Sequence, residues 1–415
     1  MNKIIYINAE DLYNKVTDGT HDSPNSCKTG FPLVTSKNIK DGKLDLSSAN
    51  LISENDYNEI NKRSKVDQWD VIISMIGEYC GYTYIESNKN IKYAVKNVGL
   101  FKTGSKLEAH WLCYYLKSDF GKHFLKQSRS GSSQPYISLG ALRSLKILNP
   151  EIDIKKRIVN FLLPIDDKIK INYKINAELE SMAKTLYDYW FVQFDFPNED
   201  GKPYKSSGGK MIWNEELKRE IPTGWIVKTL EEFEGNIVTG KTPPTTNKKY
   251  FNGDIPFICI GDIRGNMHIV STELTLTQSG AQTQLNKFIP KGAICVTCIA
   301  SPGLIGFATK NSQTNQQINS IICDNEENRY YLYFYLKDYF KYAKAKTGNT
   351  FANMNKGDFS SIKILSPKIE ILKRFHNQLD SSIDKISINS IENQKLVEIR
   401  DWLLPMLMNG QVKVN

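Results

Sequence analysis

From Ile158 onward, apolar or seam-type residues return every seven positions at Ile158, Ile165, Asn172, Leu179 and Leu186, with Phe161, Ile175, Met182 and Tyr189 three or four places further on. A 3.5-residue period kept up this long predicts a helix of about 40 residues, roughly 60 Å, whose stripe needs a partner helix to cover it. A less regular version returns in Leu372, Phe375, Leu379, Ile383, Ile386, Leu396, Ile399 and Leu403, predicting a second helix over 368–407. Closing the two helices against each other inside one molecule buries both stripes. Asn172 and Asn389 then either fix the register of that seam or lie at its edge. Upstream of each helix the pattern changes. Short apolar runs such as WDVIISMI (69–76) and GAICVTCIA (292–300) read as strands, and KDGKLD (40–45) reads as a turn. Two aromatic-rich helices are expected over EAHWLCYYLKSDFGKHFLKQ (108–127) and NRYYLYFYLKDYFKYAKA (328–345), and FDFPNEDGKPYKSSGGK (194–210) reads as a polar linker.

The two halves are copies. LKILNPEIDIKKRIVNFLLPIDDKI (145–169) returns as IKILSPKIEILKRFHNQLDSSIDKI (362–386) with 13 of 25 positions identical, and one offset of 217 aligns Pro150 with Pro367, Arg157 with Arg374, Asn160 with Asn377 and Asn172 with Asn389. The expected fold class is therefore α+β: two similar mixed domains joined by two long antiparallel helices forming a coiled coil. The boundaries follow as a first domain over 1–150, a first spacer helix over 151–192, a linker over 193–222, a second domain over 223–365, and a second spacer helix with its tail over 366–415. Two similar domains present two similar surfaces, and duplex DNA is the commonest ligand with two matching sites.

Composition narrows the setting. A net charge of +9 over 415 residues, spread along the chain without a basic tail, suits a folded protein with a positive face for a polyanion, although a slightly basic protein need not bind nucleic acid. The seven cysteines are odd in number and unevenly spaced, which fits a reducing cytoplasm better than a disulfide scaffold. No apolar run reaches the roughly 20 residues of a membrane span, and the start, MNKIIYINAEDLYN, carries acids where a signal peptide is apolar.

Motifs that suggest catalysis fail in context. GNIVTGKT (235–242) matches the phosphate-loop pattern, but Pro243 and Pro244 follow at once, withholding two N–H groups and blocking the helix that the pattern needs. Cys295 and Cys298 have CxxC spacing inside a strand-like run that points them to opposite faces, with no second pair to complete a metal site. The histidines at 21, 110, 123, 268 and 376 form no HxxxH, and PIDDK (164–168) lies on the heptad helix. No loop suits a methyl-donor cofactor and no Asn- or Asp-Pro-Pro-aromatic segment is present, so no catalytic, metal or cofactor residue is expected.

Polar recognition segments remain in both halves. The first half has DGTHDSP (18–24) and VTSKNI (34–39); the second has VTGKTPPTTNKKY (238–250) and GDIRG (261–265). Just before each long helix, SRSGSSQPYISLGAL (128–142) parallels KTGNTFANMNKGDF (346–359), with Gly131 matching Gly348; these loops either approach a phosphate backbone or simply lead into the last strand. The candidate DNA contacts are Thr20, His21, Lys37, Asn38 and Gln134 in the first half and Lys241, Thr242, Lys248, Lys249, Arg264 and Lys356 in the second, none of them assignable to phosphate rather than base.

Taken in order, DGTHDSP with SKNI, GKTP with IPFICIGDI (255–263), NQQIN (315–319), TLYDYWFVQFDFP (185–197), GGKM (208–211), IPTGW (221–225) and WLLPMLMNGQVKV (402–414) resemble the DNA-specificity subunit of type I restriction-modification systems over essentially the whole chain. The resemblance implies two target-recognition domains reading a split site, and helices that act as spacer and as docking surface for two modification subunits. It also implies S-adenosylmethionine on those partners, and ATP and Mg2+ with separate restriction subunits, so that this chain catalyses nothing. A rival class is a protein-interaction scaffold whose repeated domains hold protein. DGTH against TGKTP, and LVTSKNI against FICIGDI, imply that the two domains read different half-sites.

Overall fold

The computed structural model describes residues 5–40, 42–131, 134–347, 353–412 and 414, and no side-chain detail for residues 346 and 347. Contacts divide the chain into two compact units, one of residues 1–167 with 397–415 and one of residues 168–396.

In the first unit a four-stranded sheet carries, side by side, Val16–Asp18, Val98–Phe101, Val71–Ser74 and Thr83–Ile85, and a three-stranded sheet carries Asn50–Ile52, Phe31–Val34 and Ala94–Val95. The second unit repeats the plan with Ile237–Thr239, Ile318–Ile321, Ile294–Thr297, Ile305–Ala308 and an added His268–Ile269, beside a second sheet of Leu274–Leu276, Phe251–Ile258 and Gln313–Thr314. Strands such as VIIS and ICVT are buried at all four positions, which is why they read as unbroken apolar runs rather than alternating ones. Cys295 and Cys298 follow the period of two into different cores, and burial pushes their thiols up to about 12 and about 11.

The aromatic helices seal each domain by the same device. In the first, Trp111 Nε1 donates to the Leu148 carbonyl at 2.8 Å and the Tyr115 hydroxyl to that of Lys146 at 2.7 Å. In the second, the Tyr331 hydroxyl donates to the Leu365 carbonyl and Tyr335 to that of Lys363. One expected helix is in fact two, Lys106–Lys117 and Asp119–Gln127, because the Ser118 side chain accepts from Gly121 N and starts a new helix; Asn328–Thr347 is unbroken. A second difference concerns the linker. Phe194 and Phe196 are buried against Trp225, Asp195 accepts from Ser206 N and Oγ, and Met211–Asn214 pairs with Arg219–Pro222. Two aromatics among polar residues fold this segment onto the core.

The long helices span Ile152–Tyr187 and Ile369–Met408. Within the second unit they run antiparallel. Asn172 Nδ2 donates to Asn393 Oδ1 at 2.9 Å and Asn389 Nδ2 to Asn176 Oδ1 at 2.8 Å, while Asn393 and Asn176 reach the Ile169 and Ile386 carbonyls. Each bond maps onto its twin under the 217 offset, so the four asparagines form a two-fold box. Within the first unit, Ile158 and Leu162 pack with Leu404 and Leu407, and Arg400 Nη1 donates to Asp166, which also accepts from the Tyr114 hydroxyl. Phe375 is fully buried; Ile165, Leu179, Leu186, Leu396 and Leu403 are half-buried. The seam is narrower than the heptad reading gave: Phe161, Ile175, Met182 and Tyr189 are exposed at 41%, 38%, 67% and 37%, because a covering partner shields only one side of the stripe.

His268 supplies a pH prediction. Burial pulls its imidazole down to about 4, against the upward pull of the Ile383 backbone and Glu180. Unfolded, this histidine binds a proton near pH 6.5. Between those values the unfolded state holds more protons, so stability is complete above about pH 6.5 and falls as the pH drops toward 4. We expect roughly 2 kcal/mol to be lost by pH 5, read as faster amide exchange in residues 168–396. An equally steep pH dependence in His268→Gln would remove histidine as the cause.

Candidate nucleic-acid interface

Strand register fixes where the polar segments meet. In the first domain Asp18 faces Gly99, Ser74 faces Val98 and Val34 pairs with Val95, so segments 19–24, 35–38, 75–82 and 95–97 all emerge at one end of the sheets. Hydrogen bonds knit them together. Gly19 N donates to Val98 O, Thr20 N to Val95 O, Asn97 N to Thr20 O and Lys96 N to Val34 O. Ser36 Oγ donates to Asn97 O and accepts from Met75 N and Ile76 N. A Cβ on Gly19 would sit 2.5 Å from Val95 O, so the motif needs glycine for this close approach. The hairpin before the long helix joins the group, with Gly77 N donating to Pro135 O and Arg129 to Cys80 O.

The second domain builds the same end from other residues. Gly240 N donates to Ile318 O, Lys241 N to Thr314 O, Asn315 N to Ile258 O and Met354 N to Cys298 O. Gly240 repeats the close approach, its Cβ position lying 2.2 Å from Asn315 O. The apparent phosphate loop is thus a strand, Ile237–Thr239, running into a turn pinned by its neighbour. No group of His, Cys, Asp and Glu among the described residues could hold a metal ion.

Individual side chains sort into two kinds. His21 is exposed, with Nε2 3.0 Å from Asp18 Oδ2 and Nδ1 2.9 Å from Asn97 Oδ1. Lys37 projects from the short turn Ser36–Asn38, and Gln134 is exposed beside Pro135. Thr20 and Asn38 point inward. Thr20 Oγ1 pairs with Asp22, and the fully buried Asn38 accepts from Thr35 and donates to Asp45 O and Ser48, so its amide is spent on holding the turn. In the second domain Lys241, Arg264 and Lys356 are exposed at the loop end, and Thr242 Oγ1 donates to Gln316. Lys248 and Lys249, also exposed, precede strand Phe251–Ile258 and so lie at its other end. Gly348, the counterpart of Gly131, lies outside the described residues.

Asp18 and Asp262 are turned inward, whereas Asp22, Glu78 and Asp358 are exposed. Asp18 is buried and bonded to Arg63 and His21, and Asp262 accepts from Cys259 N and Glu273 N. Exposed Lys37 and Arg129 in the first domain, and Lys241, Arg264 and Lys356 in the second, supply the positive charge available to a polyanion. The sequence reading missed Lys96, Asn97 and Arg129, and took Gln316 only as part of a motif. Their placement depends on long-range pairing, such as the contact of His21 with Asn97, 76 positions away.

The family model described as the type I restriction modification DNA specificity domain matches residues 2–181 and again 222–400. The HindI specificity subunit of Haemophilus influenzae is 35% identical over 340 residues, covering 69% of this chain and 73% of that one. The MjaIX specificity subunit of Methanocaldococcus jannaschii is 25% identical, covering 74% of this chain and 69% of that one. In fold, the chain is similar to the type I restriction-modification S subunit from M. genitalium, with a TM-score of 0.56 and 15% identity over 98% of this chain and 97% of that one. Twin domains on twin helices, each with the same knitted loop end, and a family match to both halves lead to one conclusion: the chain belongs to the type I restriction-modification DNA-specificity family, as its non-catalytic, sequence-reading subunit.

Proposed function

We propose that each loop end reads one block of a split DNA target, and that the long helices set the gap between blocks and carry two modification subunits. The observation that carries this reading is the pair of loop ends, identical in construction and different in residues. His21, Lys37 and Gln134 serve the first block; Lys241, Thr242, Arg264 and Lys356 serve the second. Lys248 and Lys249 meet flanking phosphates. Thr20 and Asn38 hold the first loops in place.

The exposed apolar residues on the helices, including Met182, Ile388 and Trp402, suit the modification subunits, which supply S-adenosylmethionine. Restriction subunits bring ATP and Mg2+. The chain works where these partners and DNA are, in the cytoplasm; among the described residues no helix is long and apolar enough to cross a membrane. Incubating the purified chain with labelled DNA, Mg2+, ATP and S-adenosylmethionine is expected to give binding without cleavage or methyl transfer; either reaction without partners would overturn the assignment. A chain that assembles with modification subunits yet confers no sequence preference would favour the scaffold reading.

Neutralising Lys241 separates positioning from reading. A lysine on phosphate contributes about 0.9 to the slope of log affinity against log salt. Lys241→Gln is expected to lower that slope by about this amount and weaken all sequences alike, whereas Arg264→Ala, if it removes a base contact, costs about 1–3 kcal/mol and relaxes one position. Titrations at several salt concentrations test both; unchanged affinity and preference would strike the residue from the interface.

A further inference from the structure

The first domain's loop end carries a feature that charge and hydrogen bonding leave unexplained. Tyr82 and Tyr136 are 41% and 46% exposed, although both belong to the knitted end. Tyr136 pairs through its backbone with Ile76, and Ile137 N donates to Met75 O, so this tyrosine is fixed to the turn 76–82. Tyr82 lies on the same turn with its ring 5.6 Å from that of Tyr79. Gly131 opens space for Tyr136: a Cβ there would touch its Cδ1 at 3.4 Å, at a φ of +84°. Arg129 is exposed on the same hairpin. Ring surface on the order of 100 Å2 per tyrosine is thereby held in water on an otherwise polar end. The equivalent turn of the second domain, 298–304, offers Ile299, Ala300 and Ser301 instead; Phe351 of its pre-helix loop lies outside the described residues.

We propose that Tyr82 and Tyr136 are sequence-determining contacts for the first block, and that the group they meet is the 5-methyl of thymine in the major groove. This rests on the reading that the loop ends bind DNA. Phosphates and most base edges satisfy polar partners, which the rings do not need. Without unstacking bases, thymine methyls are the apolar groups that duplex DNA projects into the major groove. The Ile76–Tyr136 bridge ties the strand that carries Tyr136 to the turn that carries Tyr82, which limits the ordering needed at these two residues on binding. The first block therefore contains at least one A·T pair read through its thymine.

The test uses the full chain assembled with its modification subunits and duplexes bearing the mapped split target. Each thymine of the first block is replaced in turn by deoxyuridine, which removes only the methyl. For the unaltered protein, one such replacement is expected to weaken binding about tenfold. Tyr136→Ala or Tyr82→Ala is expected to lose a similar factor on the thymine duplex and nothing further on the deoxyuridine duplex, while the matching phenylalanine variant keeps the methyl preference. A first block without thymine, indifference of the unaltered protein to every deoxyuridine, or an alanine variant weakened equally on all sequences would overturn the methyl contact. Failure to bind any split target would instead overturn the DNA-reading assignment, and the tyrosine contact with it.

Discussion

Truncating Phe375 to alanine is expected to cost the second unit about 3–5 kcal/mol, the range for deleting a fully buried aromatic ring. The ring has no exposed surface and lies 4.8 Å from Phe191 with the planes at 90°, 5.6 Å from Trp190 and 6.3 Å from Tyr187. It therefore joins both long helices to the aromatic core that also holds Tyr331 and Phe334. Removing it opens a cavity that rigid neighbouring rings cannot fill. A chain with two units has no single unfolding free energy, so the measurement is amide exchange by region. Protection should fall sharply in residues 168–396, with the first domain as the internal control. The twin position is Ile158, buried in the first unit's core, where alanine should cost about 2–4 kcal/mol because fewer atoms are lost. A loss under about 1 kcal/mol at Phe375 would mean that the ring does not anchor the second unit.

Much of this architecture was legible because it is local or repeated. A heptad period announces a long helix within its own segment, and the 217 offset carries each assignment in one half to the other. What failed to show was set by distant partners. One helix's period does not say how wide its partner is, so Phe161 and Met182 read as seam residues and are exposed. The offset matched Asn172 with Asn389, which invites pairing the two. Antiparallel helices cross the pairs instead, Asn172 with Asn393 and Asn176 with Asn389. Asn38 looked like a reader because polar loop residues face solvent on average; four hydrogen bonds hold it inside. The tyrosines of the first loop end escaped notice because an exposed aromatic and a core aromatic are the same letter. Only the register of Ile76 with Tyr136 brings the pre-helix hairpin beside the turn.

If the helix pair sets the gap between blocks, as proposed, the asparagine box lets its length change without losing its register. Asparagines that bond to each other and to the facing helix penalise any slip, since a shifted helix leaves amides unpaired. Insertion of one heptad between Asn176 and Leu179, together with one between Ile386 and Asn389, adds seven residues at facing positions and leaves the four asparagines opposed. The seam lengthens by about 10 Å, which corresponds to up to about three base pairs of duplex. Methylation mapped across a host genome should then show the same two blocks separated by a longer fixed gap. A heptad in one helix alone should abolish methylation instead, because the asparagine box and the Tyr187–Phe375 contact beyond the insertion can no longer both form. An unchanged gap after the paired insertion, or blocks found at freely variable separation, would show that the helices do not set the spacing.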